Sequence, residues 1–399
     1  MIGFNALRAN FDATDWAWHD IQDRCEFNVV RVDTAASLSS IDISSLISSD
    51  AKYAGAILAP NGCIYFIPYT ADRVMRLDPE TGTAELIGDT LTATNAGYAS
   101  NKYWGGVLGP DGIIYCIPYY AKYVMKIDPT TDSVDFMSTN IKNSTYANTT
   151  THMWRGGVLS PNGIIYCIPY SAGHILKIDT INQTVSTMTD FTGSKINVES
   201  TCGATLSCYA GGVLGPDGKI YCIPLNADYV GIIDPIAETF TLDDVELTTS
   251  NTGYGTLRYI GGILGPDGCV YGIPYAARYF LKIDTTKETS KTGYISVSNL
   301  SAVGAKYSGG VLAPNGNLYC IPYSADYVYV RKTKNGTLSK GFQSWDTDAE
   351  RWNGGVLAPN GKIYCAPYDS DEILVISPSP TTNTNFGLAT LLSPYLNKF

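Results

Sequence analysis

Histidine is nearly missing from this sequence: His19, His152 and His174 are the only three in 399 residues. No two of them share the short spacing of metal ligands, so no metal centre is expected. Charge is scarce as well. Asp, Glu, Lys and Arg make up 16% of the chain, and acids outnumber bases 37 to 27, for a net charge of −10. A nucleic-acid partner requires a basic footprint, and none is present. No apolar run approaches the roughly 18 residues needed to cross a bilayer, so membrane insertion is not expected. Asp12, Asp15, Asp20, Asp23 and Glu26 break up the N-terminal stretch, so no secretory signal is expected there either. Gly-x-Ser-x-Gly and phosphate-cradling glycine loops are also missing. No catalytic residue and no cofactor are therefore assigned.

What the chain has in plenty is glycine, 39 residues, and tyrosine, 29 residues. Most of them belong to a repeat whose seven copies begin at Tyr53, Tyr103, Trp154, Tyr209, Tyr259, Tyr307 and Trp352. The shared pattern reads aromatic-x-Gly-Gly-Val-Leu-x-Pro-Asn/Asp-Gly-x-Ile-Tyr-Cys-Ile-Pro-Tyr, followed by Tyr-Val-x-Lys-Ile-Asp-Pro. A spacing of about 50 residues leaves room for four short strands per copy, which predicts an all-β, seven-bladed propeller of four-stranded antiparallel blades. In the second copy Gly105–Leu108 is read as the innermost strand, where glycine permits close backbone approach. Pro110-Asp111-Gly112 is a hairpin turn, Ile113–Ile117 the second strand, Tyr123–Asp128 the third and Ser133–Met137 the outer one. Asp78, Asp128, Asp179, Asp234 and Asp284 each precede a turn and are read as its caps.

Ring closure needs one blade completed by both chain ends. Phe27–Ser40 mimics the later part of a repeat and is expected to supply the outer strand of the last blade. This divides the chain into a propeller over 27–399 and an arm over 1–26. Within the arm Phe11, Trp16, Trp18 and Ile21 are candidate docking residues, on a short capped helix or an ordered segment.

Ten cysteines suggest a disulfide scaffold until they are placed in the repeat. Cys116, Cys167, Cys222, Cys320 and Cys365 share one position, too far apart on neighbouring blades to bridge, and are read as small buried hydrophobes. Only Cys202 and Cys208 are close enough in sequence to pair locally.

Two kinds of loop emerge from the repeat. One face carries short, regular Pro-Asn/Asp-Gly and Asp-Pro turns. The other carries the Ile-Pro-Tyr loops and long Ser/Thr/Asn-rich connections between blades, the kind of variable segment on which recognition usually sits. Candidate binding residues on that face are Tyr69, Tyr119, Tyr170, Tyr275, Tyr323 and Tyr368, with Leu225 interrupting the series. To these are added the variable positions Asp72, Lys122, His174, Asp228, Arg278, Asp326 and Asp371. Tyrosine offers amphipathic contact area at low entropic cost, which suits a carbohydrate or protein surface. A residue repeated in every blade also serves packing, so both roles stand for the tyrosines.

The repeat, over residues 53 to about 380, resembles the Gly-Gly-Val-Leu-x-Pro-Asn-Gly-x-Ile-Tyr-x-Ile-Pro propeller repeats that recur in environmental microbial and bacteriophage proteins. The two ends, LRANFDATDWAWHDI and LLSPYLNKF, look like the termini of phage virion-associated proteins. That resemblance implies a non-enzymatic tail, fibre or decoration component, made in the host cytoplasm and incorporated in the virion. It further implies a symmetric assembly, with the arm docked on other virion proteins and the propeller turned to a host-surface glycan or protein. Two other readings stay open: a cellular protein-interaction scaffold, and a propeller hydrolase or lyase acting on a sugar or lactone.

Overall fold

A computed structural model describes residues 36–97, 100–142, 152–188, 207–253, 255–289, 291–295, 304–332, 338–340 and 349–378. Within them lie seven four-stranded sheets, every neighbouring pair of strands antiparallel. The arrangement is a seven-bladed propeller. Among the described residues the only helix is one turn, Thr249–Thr252.

The second blade shows how the repeat folds. Its innermost strand is Tyr103–Leu108, followed by Ile114–Pro118, Met125–Asp128 and Ser133–Phe136. The innermost strand starts two residues earlier than the sequence pattern suggests. A register shift between Tyr103 and Gly106 lets Tyr103 face Pro118 although the strand is kinked. Gly105 carries that kink at φ +77°, a left-handed conformation that glycine adopts without steric cost. Gly106 answers a different need: a Cβ there would stand 2.9 Å from Ile67 Cδ1 of the preceding blade. The glycine pair thus turns the strand and then lets the next blade close against it.

The two inner strands of each blade are apolar on both faces because the blade is covered by its two neighbours. Seven buried clusters result, one between each pair of adjacent blades. The first joins Ile57, Tyr65 and Ile67 to Tyr103, Ile114 and Met125. The cluster that closes the ring joins Val356, Tyr364 and Ile373 to Tyr53, Ile64 and Met75. Cys63, Cys116, Cys167, Cys222, Cys269, Cys320 and Cys365 are buried, free thiols in this packing. Burial pushes the Cys116, Cys167, Cys222, Cys320 and Cys365 thiols well up from their usual pKa. Cys208 is disulfide-bonded, its partner lying outside the described residues.

The last blade is built from both ends of the chain. Ser37–Asp42 pairs antiparallel with Glu372–Ser377, Ser37 opposite Ser377 and Asp42 opposite Glu372. The strand sits at the C-terminal end of the expected segment and runs two residues beyond it. The candidate arm residues Phe11, Trp16, Trp18 and Ile21 lie outside the described residues, as does Cys202.

The regular turns lock one face. Asn61 Nδ2 donates to the Pro129 carbonyl of the next blade at 2.8 Å, and Asn360 Nδ2 donates to that of Pro79 at 3.0 Å across the closure. The strand-ending aspartates cap their turns: Asp78 accepts from the Glu80 amide at 2.9 Å and Asp128 from that of Thr130 at 2.8 Å. Asp179, Asp234 and Asp284 do likewise.

Candidate binding face

On the opposite face a backbone relay passes from each blade to the next. The residue before each opening aromatic is Lys52, Lys102, Met153, Cys208, Arg258, Lys306 or Arg351. Its N–H donates to the Ile-Pro-Tyr carbonyl (Leu225 in the fourth blade) of the preceding blade at 2.7–2.9 Å, and its own carbonyl accepts from the amide at that position in its own blade. All seven junctions share this geometry. The Lys52, Lys102 and Arg258 side chains point back along the preceding loop, toward the position three residues after its Tyr368, Tyr69 or Leu225.

That places the variable charged residues. Lys52 Nζ donates to the carbonyls of Asp369 and Ser370 at 3.1 and 3.3 Å and pairs with Asp371 at 3.0 Å. Arg258 donates to the carbonyls of Asn226 and Ala227 and pairs with Asp228 at 3.0 Å. Lys102 Nζ reaches the Thr70 carbonyl at 3.0 Å and feels the charge of Asp72, although burial dominates and lowers its pKa to about 8. Where the variable residue is Lys122, the relay position holds an uncharged Met153; the third blade has Gly173 at that place, with His174 one residue further on, and the relay residue that follows it is an uncharged Cys208. Asp371 and Asp228 therefore staple blades together while keeping about half their side-chain surface in solvent (54% and 46%).

The tyrosines form a ring around the axis. Tyr368 lies 5.6 Å from Tyr69, Tyr69 5.9 Å from Tyr119 and Tyr119 5.5 Å from Tyr170, measured between ring centroids. Tyr275 lies 5.7 Å from Tyr323, and Tyr323 5.5 Å from Tyr368. Leu225 fills the gap between Tyr170 and Tyr275, packed with Ala210 and Ile260. Tyr69, Tyr119, Tyr323 and Tyr368 are buried, whereas Tyr170 and Tyr275 are half-buried. Burial raises the pKa of Tyr69 and of Tyr275 to about 12. Tyr323 donates to Glu350 at 2.5 Å.

Inside this ring stands a position that the sequence pattern left as x. Ala54, Trp104, Arg155, Ala210, Ile260, Ser308 and Asn353 follow the opening aromatics and are all buried. Ser308 donates to Asn353 Oδ1 at 2.8 Å. On the other side of the axis the Arg155 guanidinium lies 3.7 Å from the Trp104 ring centroid and 5.5 Å from that of Tyr170. The residue is 8% exposed, and its Nε has no hydrogen-bond partner among the described residues. No carboxylate pairs with it among the described residues. The charge reaches Tyr69, Tyr119, Tyr275 and Tyr368, where it opposes the upward push of burial. Beside it His152 hydrogen-bonds the Tyr120 hydroxyl at 2.8 Å, and burial, then Arg155, lowers the His152 pKa. Arg155 and His152 were not singled out as binding residues from sequence. The available signal was that x ranges from Ala to Trp to Arg inside an otherwise constant frame.

Lys122 lies 5.4 Å from the Tyr123 ring. His174 lends its carbonyl to the Trp154 indole at 2.8 Å, while its Nδ1 is buried without a partner. Asp326 is half-buried and Arg278 is exposed. Among the described residues no three His, Cys, Asp or Glu side chains gather as a metal site.

No family model matches the chain, and no curated protein does. Solved structures do. A streptogramin B lyase is 15% identical at a TM-score of 0.65, the match covering 87% of this chain and 99% of that one. A virginiamycin B lyase from Staphylococcus aureus is 13% identical at a TM-score of 0.64, covering 86% and 99%. The extracellular domain of a hybrid two-component system from B. thetaiotaomicron is 12% identical at 0.61, covering 88% of this chain and 44% of that one. The set spans an enzyme and a sensor ectodomain, and at such identities the shared property is the propeller itself.

Proposed function

We propose that the protein is a binding module that takes its ligand on the axial face around Arg155, acting by recognition and not by catalysis. The observation that carries this reading is a buried guanidinium stacked on Trp104, without a carboxylate partner, inside a ring of tyrosines. A desolvated cation with unused hydrogen-bonding capacity is costly to maintain for packing alone. Aromatic faces beside polar hydroxyls suit a glycan or a protein surface. The half-buried Tyr120, Tyr170, Tyr275 and His152 supply the contact area, and the seven-fold relay holds it rigid.

Glycan-array screening followed by calorimetry on the best binder tests this. Arg155→Met is expected to weaken binding by about tenfold or more, the loss of a charge-assisted hydrogen bond, with the circular dichroism of the fold unchanged. Binding unaffected by Arg155→Met would overturn the axial site, and turnover of a sugar or lactone would overturn the non-catalytic reading.

The setting proposed for this module is a virion, with residues 1–26 docked on other virion proteins and the propeller facing the host. It is supported by the resemblance of the two chain ends and by an acidic composition unsuited to nucleic acid. Cryo-electron microscopy of particles from the source culture should show propeller-shaped density on tail or capsid. Finding the protein only free in lysate would favour a cellular scaffold instead.

A further inference from the structure

At one blade junction both facing positions are cationic. At the junction between the fifth and sixth blades the relay residue is Lys306, and the variable position facing it is Arg278. Lys306 shares the backbone geometry of its sisters, its N–H donating to the Tyr275 carbonyl at 2.9 Å. The residue is 7% exposed, yet Nζ has no hydrogen-bond partner among the described residues. The corresponding ammonium of Lys52 has two carbonyls and a carboxylate, and the Arg258 guanidinium has the same set. Burial and then the charge of Arg278 depress the Lys306 pKa to about 8. The neighbouring connection, residues 296–303, contains no acid in its sequence.

Two cations thus face one another where two sister junctions place a carboxylate. We propose that this junction binds a carboxylate supplied by a ligand, gripped between Lys306 and Arg278 in the place that Asp371 and Asp228 occupy elsewhere. Three observations agree. The ammonium is desolvated and lacks an acceptor, a condition that an incoming anion relieves. The place an acid takes at the sister junctions is open, since Asp371 and Asp228 keep 54% and 46% of their side chains exposed. Arg278 is itself exposed and offers the planar fork that matches a carboxylate. The site lies apart from Arg155 and does not depend on it.

The probes are glucuronate, an acidic sugar, and N-acetylaspartate N-methylamide, a peptide-like acid, with glucose as the neutral control. Calorimetry and thermal denaturation of the full chain should show binding and a concentration-dependent rise in Tm. Response to both probes assigns the site to the carboxylate alone. Response to glucuronate only assigns it to acidic sugars, and response to the peptide acid only to a protein side chain. Two variants borrow residues that sister junctions already carry. Lys306→Met copies the Met153 already present at the third relay position, and Arg278→Asp recreates the Asp371–Lys52 arrangement. Each should weaken binding by about tenfold or more, and Arg278→Asp should also raise Tm without ligand. Arg155→Met should leave both probes bound as before. No response to either probe, or a response that survives Lys306→Met and Arg278→Asp, would overturn the proposal.

Discussion

Gly157 shows how closely single residues are held in this propeller. A Cβ at that position would lie 2.7 Å from Ile117 Cδ1, closer than carbon atoms approach, and Ile117 is fully buried. Gly157→Ala therefore forces the Ile117 side chain to shift inside the packed junction between two blades. A loss of roughly 1–3 kcal/mol is expected from such overpacking, read as a lower denaturant midpoint; Gly112→Ala places its methyl in open space and provides a control for strain alone at positive φ. An unchanged midpoint in Gly157→Ala would mean that the blades yield freely. The need for glycine here was legible in sequence, because Gly-Gly recurs at one place in the frame. The charged pairs were not. Asp228 and Arg258 stand 30 residues apart, in different copies of the repeat, and aligning the copies on themselves hides a rule that links each copy to the next. Arg155 escaped for a related reason: period-2 alternation in a strand assigns x to one of two blade faces, each covered by a neighbour, and does not show that the residue before the kinked glycine lies at the axis.

At the scale of the strand, the closing element carries the most consequence. Ser37–Asp42 covers Glu372–Ser377 along six register positions, and Ile41 and Leu38 pack against the clusters on either side of the last blade. Without this strand Ile373–Ile376, now buried, would become a bare hydrophobic edge, a template for aggregation. A chain starting at Ile43 is expected to denature at a markedly lower temperature and to aggregate at micromolar concentration. A chain lacking residues 1–25 retains the strand and should denature like the full protein while losing attachment to its assembly partner. If the chain from Ile43 is as stable as the full protein, the ring is closed by packing between blades and not by the shared sheet. Four strands per blade were readable because turns and strands recur together. Their ends were less so: Pro118 ends its strand but still belongs to it, since the kink at Gly105 sets Tyr103 opposite it.

Across the whole molecule the ionisable groups buried at the blade junctions govern the response to alkaline pH. Lys102 and Lys306 have folded-state pKa values lowered from 10.5 to about 8. Between those values the unfolded chain binds more protons than the folded one, so stability rises as pH increases from about 8 toward 10. The buried tyrosines act in the opposite sense. Burial raises Tyr53, Tyr103, Tyr209, Tyr259 and Tyr307 far above the ordinary value of 10.0. Above pH 10 the unfolded chain therefore loses protons that the folded chain retains, and stability falls. Thermal denaturation followed from pH 7 to 11.5 is expected to show Tm climbing to a maximum between pH 9 and 10 and then dropping steeply. Lys306→Met should flatten the climb without moving the drop, and a saturating carboxylate at the junction between the fifth and sixth blades should flatten it in the same way by keeping Lys306 charged in the folded state. A Tm that declines steadily from pH 8 would mean that neither lysine is depressed in solution and that the acceptor position at Lys306 is filled from within the chain.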